Sequence, residues 1–139
     1  MSDFIIIDSD EVHFNSAFQN AFIMPEKGKI TGTGGATLKG KKVCIDGDET
    51  SVKVQNVTYI SPPYVDGKCT LLIDKLGNDQ VADHTNSNQK KVILKGTVFD
   101  AVFEVTKPGI DPAGNLDPNL MYSGGTGFFK TNNTKFKGT

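Results

Sequence analysis

The chain has no arginine and no tryptophan, only two cysteines and two histidines, and no long apolar run. Each absence removes a class of function. Without arginine, bidentate phosphate clamps, arginine fingers and arginine readout of guanine are excluded. No apolar stretch approaches the length of a membrane-spanning helix. The apolar residues Phe4 to Ile7 lie among Asp3, Asp8, Asp10 and Glu11, unlike the basic start and longer apolar core of a secretory signal. Fifteen basic residues, all lysine, nearly balance 16 acidic ones, for a net charge of -1. That balance gives no electrostatic reason to expect nucleic acid or an anionic membrane as partner. The expected location is cytoplasmic as synthesised, with no membrane anchor.

The scarce residues also bound the chemistry. Cys44 and Cys69 sit in strand-like apolar runs, where a cysteine behaves as a small buried hydrophobe, so two reduced thiols are expected. With His13 and His84 they could in number supply a zinc tetrad. Yet no pair has close ligand spacing, and no metal or other cofactor is expected. The acidic clusters Asp8-Ser9-Asp10-Glu11 and Asp46-Gly47-Asp48-Glu49 lack the twelve-residue calcium-loop pattern and read as solvated turns. Gly32-Thr33-Gly34-Gly35 and Gly124-Gly125-Thr126-Gly127 neither precede a helix nor end in Gly-Lys-Ser/Thr, so they read as turns or bulges, not phosphate loops. With no nucleophile elbow either, no catalytic set emerges and an enzyme is not expected.

What is abundant is turn chemistry. Fifteen glycines and six prolines separate short runs rich in Val, Ile, Thr and Phe. This predicts an all-β fold: one small domain over residues 1–139, a compact cone, sandwich or barrel of many short strands. Strands are expected at 4–7, 12–14, 18–23, 29–33, 36–38, 42–45, 52–54, 58–59, 69–73, 91–95, 99–106, 127–130 and 135–136. One segment, Asn78 to His84, reads as a short helix capped by Asn78 or Asp79. Asp46-Gly47 and Asp66-Gly67 suit hairpin turns, Lys39-Gly40-Lys41 a hairpin tip, and Pro62-Pro63 cannot lie inside a central strand. Residues 107–125, with Pro108, Pro112 and Pro118, form an extended segment expected to wrap the domain. Phe14, Phe18, Phe22, Phe99 and Phe103 are the expected core. Thr37-Leu38-Lys39-Gly40 and Ile93-Leu94-Lys95-Gly96 share Leu-Lys-Gly, a hint of internal duplication.

The phrase Ala36-Thr37-Leu38-Lys39-Gly40-Lys41-Lys42-Val43-Cys44-Ile45-Asp46-Gly47-Asp48, led by Gly32-Thr33-Gly34-Gly35, resembles the strand–turn–strand unit of PAAR and PAAR-like proteins. Its turn is Lys39-Gly40-Lys41 and its closing pair Gly47-Asp48. The resemblance spans Gly32 to Asp48. The Pro-Ala-Ala-Arg tetrad is absent, and two histidines cannot fill the family's three-histidine, one-cysteine zinc set, so no metal ligands carry over. The resemblance implies a non-enzymatic tip that caps the trimeric spike of a contractile injection machine, such as a type VI secretion system or phage tail. Such a tip is expelled with the spike without a signal peptide, aids membrane piercing and can carry an effector. It implies a protein that is monomeric alone and binds one spike trimer, with its contacting strands in approximate three-fold order. Lys39, Gly40, Gly47, Asp48, Lys95 and Gly96 are the expected turn and docking positions. The alternative is a small cytoplasmic β-sandwich binding module, an immunity or adaptor protein.

Overall fold

Short β-branched and aromatic runs between glycine, proline and asparagine turns give an almost entirely β chain. A computed structural model describes residues 2–139. Its strands are β1 (Asp3–Phe4), β2 (Glu11–Phe14), β3 (Ala17–Phe18), β4 (Ala21–Ile23), β5 (Glu26–Lys29), β6 (Thr37–Leu38) and β7 (Lys41–Lys42). They continue with β8 (Lys53–Ser61), β9 (Tyr64–Lys75), β10 (Val81–Ser87), β11 (Lys90–Ile93), β12 (Phe99–Lys107), β13 (Met121–Lys130) and β14 (Lys137–Gly138). Eight strands form one antiparallel sheet in the order β3-β4-β8-β9-β12-β13-β2-β5, and β1-β14, β6-β7 and β10-β11 pair separately.

The large sheet curls on itself. At one edge the Gln19 N–H donates to the Ser123 carbonyl at 3.0 Å, folding the β3–β4 hairpin onto β13. At the other edge Gly28 of β5 faces Val54 of β8 so closely that a Cβ would lie 2.8 Å from its Cγ2. Three antiparallel pairs, β2/β5, β8/β9 and β12/β13, make the body of this barrel-like sheet. In each pair the returning strand carries a glycine opposite a buried side chain: Gly28 opposite Val12, Gly67 opposite Tyr59, Gly127 opposite Phe99.

Alternation along the strands sends one set of residues inward. Phe14, Phe99, Phe103, Phe129, Tyr59 and Leu71 are buried together. Phe14 meets Phe99 edge-on with centroids 5.5 Å apart, and Phe18 meets Phe103 at 4.9 Å. Each such buried side chain stabilises the fold by about 1.5–3 kcal/mol relative to an exposed one. Phe22 departs from the expected core. Ala21 and Ile23 take the inner positions of β4, so period two turns Phe22 outward, where it is 53% exposed.

Other expectations change with the topology. The helix expected from Asn78 to His84 shrinks to one 3₁₀ turn, Asn78–Gln80, and the following residues enter β10. Pairing with β11 outweighs the local preference. The buried Gln80 side chain holds the turn, accepting from the Gly77 N–H at 2.8 Å and donating to the Lys95 carbonyl at 3.2 Å. Asp46-Gly47 is a corner rather than a hairpin, with Gly47 at φ 106 leading into a second 3₁₀ turn, Asp48–Ser51. Asp66-Gly67 lies inside β9, with Asp66 at φ 59 in an irregular stretch of the ladder. The reversal between β8 and β9 is made by Pro62-Pro63, whose peptide is cis. Lys39-Gly40 is a two-residue hairpin tip with φ of 52 and 79, the left-handed pair of a type I′ turn. Residues 30–33 leave the sheet after β5, and 121–125 belong to β13 rather than to the proline-rich connection before it.

That connection, residues 108–120, is fastened by one buried carboxylate. Asp117 Oδ2 accepts from the Tyr59 hydroxyl at 2.8 Å and the Tyr122 hydroxyl at 2.7 Å, and its Oδ1 accepts from the Asn119 N–H at 2.9 Å. The Gly109 N–H in turn donates to the Tyr59 oxygen at 3.0 Å.

Cys44 and Cys69 are free, buried thiols. Burial pushes the Cys69 thiol up to about 12. The same burial, helped by the Asp48 and Asp10 carboxylates, raises Cys44 as well. Thiolate is the reactive form, so both should resist a disulfide reagent at pH 8 in the native protein, and two thiols should titrate after unfolding. Rapid native labelling of either would contradict this burial.

Candidate functional site

Three apolar triplets, residues 5–7, 43–45 and 92–94, meet at a junction below the barrel. Ile7 bridges Val43, Ile45 bridges Val92, and Leu94 bridges Ile5, all antiparallel. The end of each triplet therefore pairs with the start of the next, and the third closes on the first. The central residues form a hydrogen-bonded ring. The Cys44 N–H donates to the Ile6 carbonyl at 2.8 Å, Ile93 to Cys44 at 2.9 Å, and Ile6 to Ile93 at 2.9 Å. A second set repeats two residues further out: Asp8 donates to Lys42, Asp46 to Lys91, and Lys95 to Phe4, each at 2.8 Å. Ile6, Cys44 and Ile93 enter the main core, while the six flanking residues form a second apolar cluster with Ala82 and Leu38. This is local three-fold order within a single chain.

The order extends outward in both directions. Each triplet is flanked by a two-stranded ribbon: β6–β7, β10–β11, and β14–β1, the last made from the final and first strands. Two of the ribbons turn through left-handed pairs, Lys39-Gly40 and Asn88-Gln89. Beyond each triplet comes a corner with positive φ, at Ser9 (70), Gly47 (106) and Gly96 (52). Each corner then leads to a barrel strand, β2, β8 or β12.

A carboxylate–threonine clasp fastens every corner. Asp10 accepts from the Ile7 N–H at 2.8 Å and from the Thr131 hydroxyl. Asp48 accepts from the Ile45 N–H at 2.8 Å and the Thr33 hydroxyl at 2.7 Å. At the third corner the partners exchange places, and Thr97 donates to Asp79. That bond holds the Asp79 carboxyl below its usual range. Asp10 and Asp48 are buried, so these bonds satisfy charges that would otherwise be costly to remove from water.

Of the residues singled out from sequence, Gly47, Asp48 and Gly96 lie at these corners, and Lys95 precedes the third. Lys39 and Gly40 are elsewhere, at a ribbon tip. The shared Leu-Lys-Gly is thus out of step with the structural repeat: Leu38 ends a ribbon strand and Leu94 ends a junction triplet. The true register aligns Ile5-Ile6-Ile7-Asp8-Ser9-Asp10, Val43-Cys44-Ile45-Asp46-Gly47-Asp48 and Val92-Ile93-Leu94-Lys95-Gly96-Thr97. The pattern is three apolar residues, a charge, a small residue and an oxygen-bearing side chain. It was present in the sequence, and the identical Lys-Lys-Val before Cys44 and Ile93 marked two of its three copies.

Chemistry-bearing side chains are scattered by comparison. His13 stacks on Phe128 with centroids 4.9 Å apart, and its Nε2 lies 2.8 Å from Glu11 Oε1. The His13 bond, then Lys27, holds the Glu11 carboxyl below its usual range. The groove beside them, lined by residues that include Asn15, Pro25 and Glu26, has no serine or cysteine. His84 is exposed on β10. Among the described residues, no three His, Cys, Asp or Glu side chains gather as a metal ion requires.

No curated protein matches the chain. A family model described as contractile injection system spike tip protein matches residues 1–139. The match spans the whole chain, where the resemblance seen in sequence spanned one phrase, and a structural role at the tip of a spike complex goes with it. The chain belongs to the spike tip proteins of contractile injection systems.

Proposed function

We propose that this protein caps a trimeric spike as a monomer, one copy per three spike chains, and works mechanically without turnover. The closed hydrogen-bond ring of Ile6, Cys44 and Ile93 carries the reading. A single chain seated on a three-fold axis meets three identical partners, and three like edges let it contact each in a similar way. Here one chain supplies those edges from three repeats. Stiffness comes from the same arrangement, because each triplet is tied to both others and each corner is clasped. Such a cap would leave the cell with the spike, meet the target membrane first, and offer a place for an effector to ride. The spike it pairs with sets whether the machine is of the type VI or the phage-tail-like kind.

Light scattering of the protein mixed with its cognate spike tests this. A complex of one tip and three spike chains is expected, and the free tip should have the mass of one chain. A stable complex with an encoded toxin in place of any spike would overturn the reading.

A further inference from the structure

The two ends of the barrel differ in surface chemistry, although the junction end also exposes one large apolar side chain, Phe136. At the junction end, the ribbons carry Lys41 and Lys42, Lys90 and Lys91, and Lys137, with Lys135 just before the third ribbon. All six are exposed, and among the described residues none is in an ion pair. Lys137 Nζ stands 4.8 Å over the Phe4 ring. Drying such a face would strip water from ammonium groups that have no carboxylate partner, which is costly.

The opposite end is formed by three connections, one within each barrel pair. Each displays large apolar side chains. Phe22 and Met24 lie between β2 and β5, with Met24 74% exposed. Ile60 and Val65 flank the Pro62-Pro63 turn, both 43% exposed. Leu116 and Leu120 lie between β12 and β13, with Leu120 75% exposed. Apolar side chains gathered at one end of a small soluble protein mark a surface that is covered in use. They are also held in place. Ile110 bridges both Val65 and Leu116, tying two connections together, and Asp117 fastens the third barrel pair's connection from within. A preformed surface loses little freedom on binding.

We infer that this apolar end, presenting one apolar group from each of three connections, is the face that seats on the blunt end of the spike trimer, and that the lysine-bearing ribbons lead. The inference rests on the proposed one-to-three capping. The partner it requires is a trimer end with three equivalent apolar edges, which fits three connections arranged around the axis of the junction better than a two-fold copy of this chain does.

The test uses full-length tip and assembled spike trimer. Met24→Lys with Leu120→Lys alters the apolar end at exposed positions; Lys41→Glu with Lys90→Glu alters the ribbon end. The first pair should weaken spike binding by about 100-fold, as expected for losing two buried apolar contacts and burying charge instead. The second pair should change it by less than about 3-fold, since solvent-facing charges contribute little. Melting curves of both variants should match the parent. As a check needing no variant, amide exchange in the complex should slow at Tyr64, Val65 and the non-proline residues of 108–120 and stay unchanged at 39–42 and 88–91. The reverse pattern, with ribbon variants losing the spike, would overturn this orientation and leave the capping stoichiometry standing. A parent protein that binds no spike would overturn both. Self-association through the apolar end, abolished by Leu120→Lys without any effect on spike binding, would assign that face to a second copy and overturn the inference.

Discussion

Replacing Asp117 with alanine is expected to lower stability by about 4 kcal/mol, because two buried phenol hydroxyls lose their shared acceptor at about 1–3 kcal/mol each and the Asn119 turn opens. Tyr59 and Tyr122 both donate to Asp117 Oδ2, and Tyr59 is fully buried. Their phenols lie in the aromatic cluster, Tyr59 with Phe103 at 5.1 Å and Tyr122 with Phe103 at 5.0 Å. Burial pushes both phenols up from their ordinary range, so neither escapes by ionising at neutral pH. Asp117→Asn keeps one acceptor oxygen but turns an amide N–H₂ toward either the hydroxyls or the Asn119 N–H. It should fall between the parent and alanine. Urea unfolding measures both, and an unchanged m-value with a lower midpoint assigns the loss to stability alone. A loss under about 1 kcal/mol for alanine would mean that water replaces the carboxylate and that the connection is not closed over the barrel. Because the same connection displays Leu116 and Leu120, the variant should also lose affinity for the spike while still folded at low temperature.

The β class was legible because the residues that fill pleated, half-buried surfaces were concentrated in short runs. The Lys39-Gly40 tip was legible for the same kind of reason, since a two-residue hairpin requires left-handed backbone and glycine supplies it freely. The Asp-Gly pairs at 46–47 and 66–67 carried the same signal and meant different things. Positive φ is needed equally at a corner, as at Gly47, and within an irregular ladder, as at Asp66. Local chemistry specifies the dihedral angle, and only the partner strands decide what the angle is used for. The helix at Asn78 to His84 failed on the same ground, because Val81 pairs with Ile93 of β11, a partner that contributes nothing to a local pattern.

The junction was legible in a different degree. Its three triplets share a pattern of residue character more than identity, and of two equally long identities, Lys-Lys-Val marked the right register for two copies while Leu-Lys-Gly pointed to the wrong one. Three-way closure depends on hydrogen bonds among residues 6, 44 and 93, about which local periodicity is silent. The apolar end was the least legible part. Its side chains come from three connections far apart in sequence, and singly exposed apolar residues are ordinary. Only the fold gathers Phe22, Ile60 and Leu120 at one end. The expectation that Phe22 belonged to the core shows the difficulty in one residue: its hydrophobicity was read correctly, and its face was not.

Gly127→Ala is the smallest change with a large expected effect, a loss of about 3 kcal/mol or more, above the usual range for adding one methyl to a packed interior. Gly127 is the strand position shared by two ladders, opposite Phe99 of β12 and Phe14 of β2. A Cβ there would lie 2.3 Å from the His13 carbonyl oxygen and 2.4 Å from the Phe99 ring. The ring could tilt, but it already meets Phe14 edge-on and Phe129 at 5.3 Å, so movement is passed to other buried rings. The carbonyl cannot move without disturbing the β2–β13 ladder that holds the barrel around. Gly28→Ala provides the comparison. Its Cβ meets only the Val54 Cγ2 methyl, at 2.8 Å, which a half-buried side chain can relieve by changing rotamer. The loss there should stay near 1 kcal/mol. Thermal unfolding separates the two, with a fall of about 10 °C expected for Gly127→Ala and about 3 °C for Gly28→Ala. Equal falls would mean that the β2–β13 ladder yields as easily as a methyl group. The barrel would then add little to the stiffness that the junction and its three clasps supply.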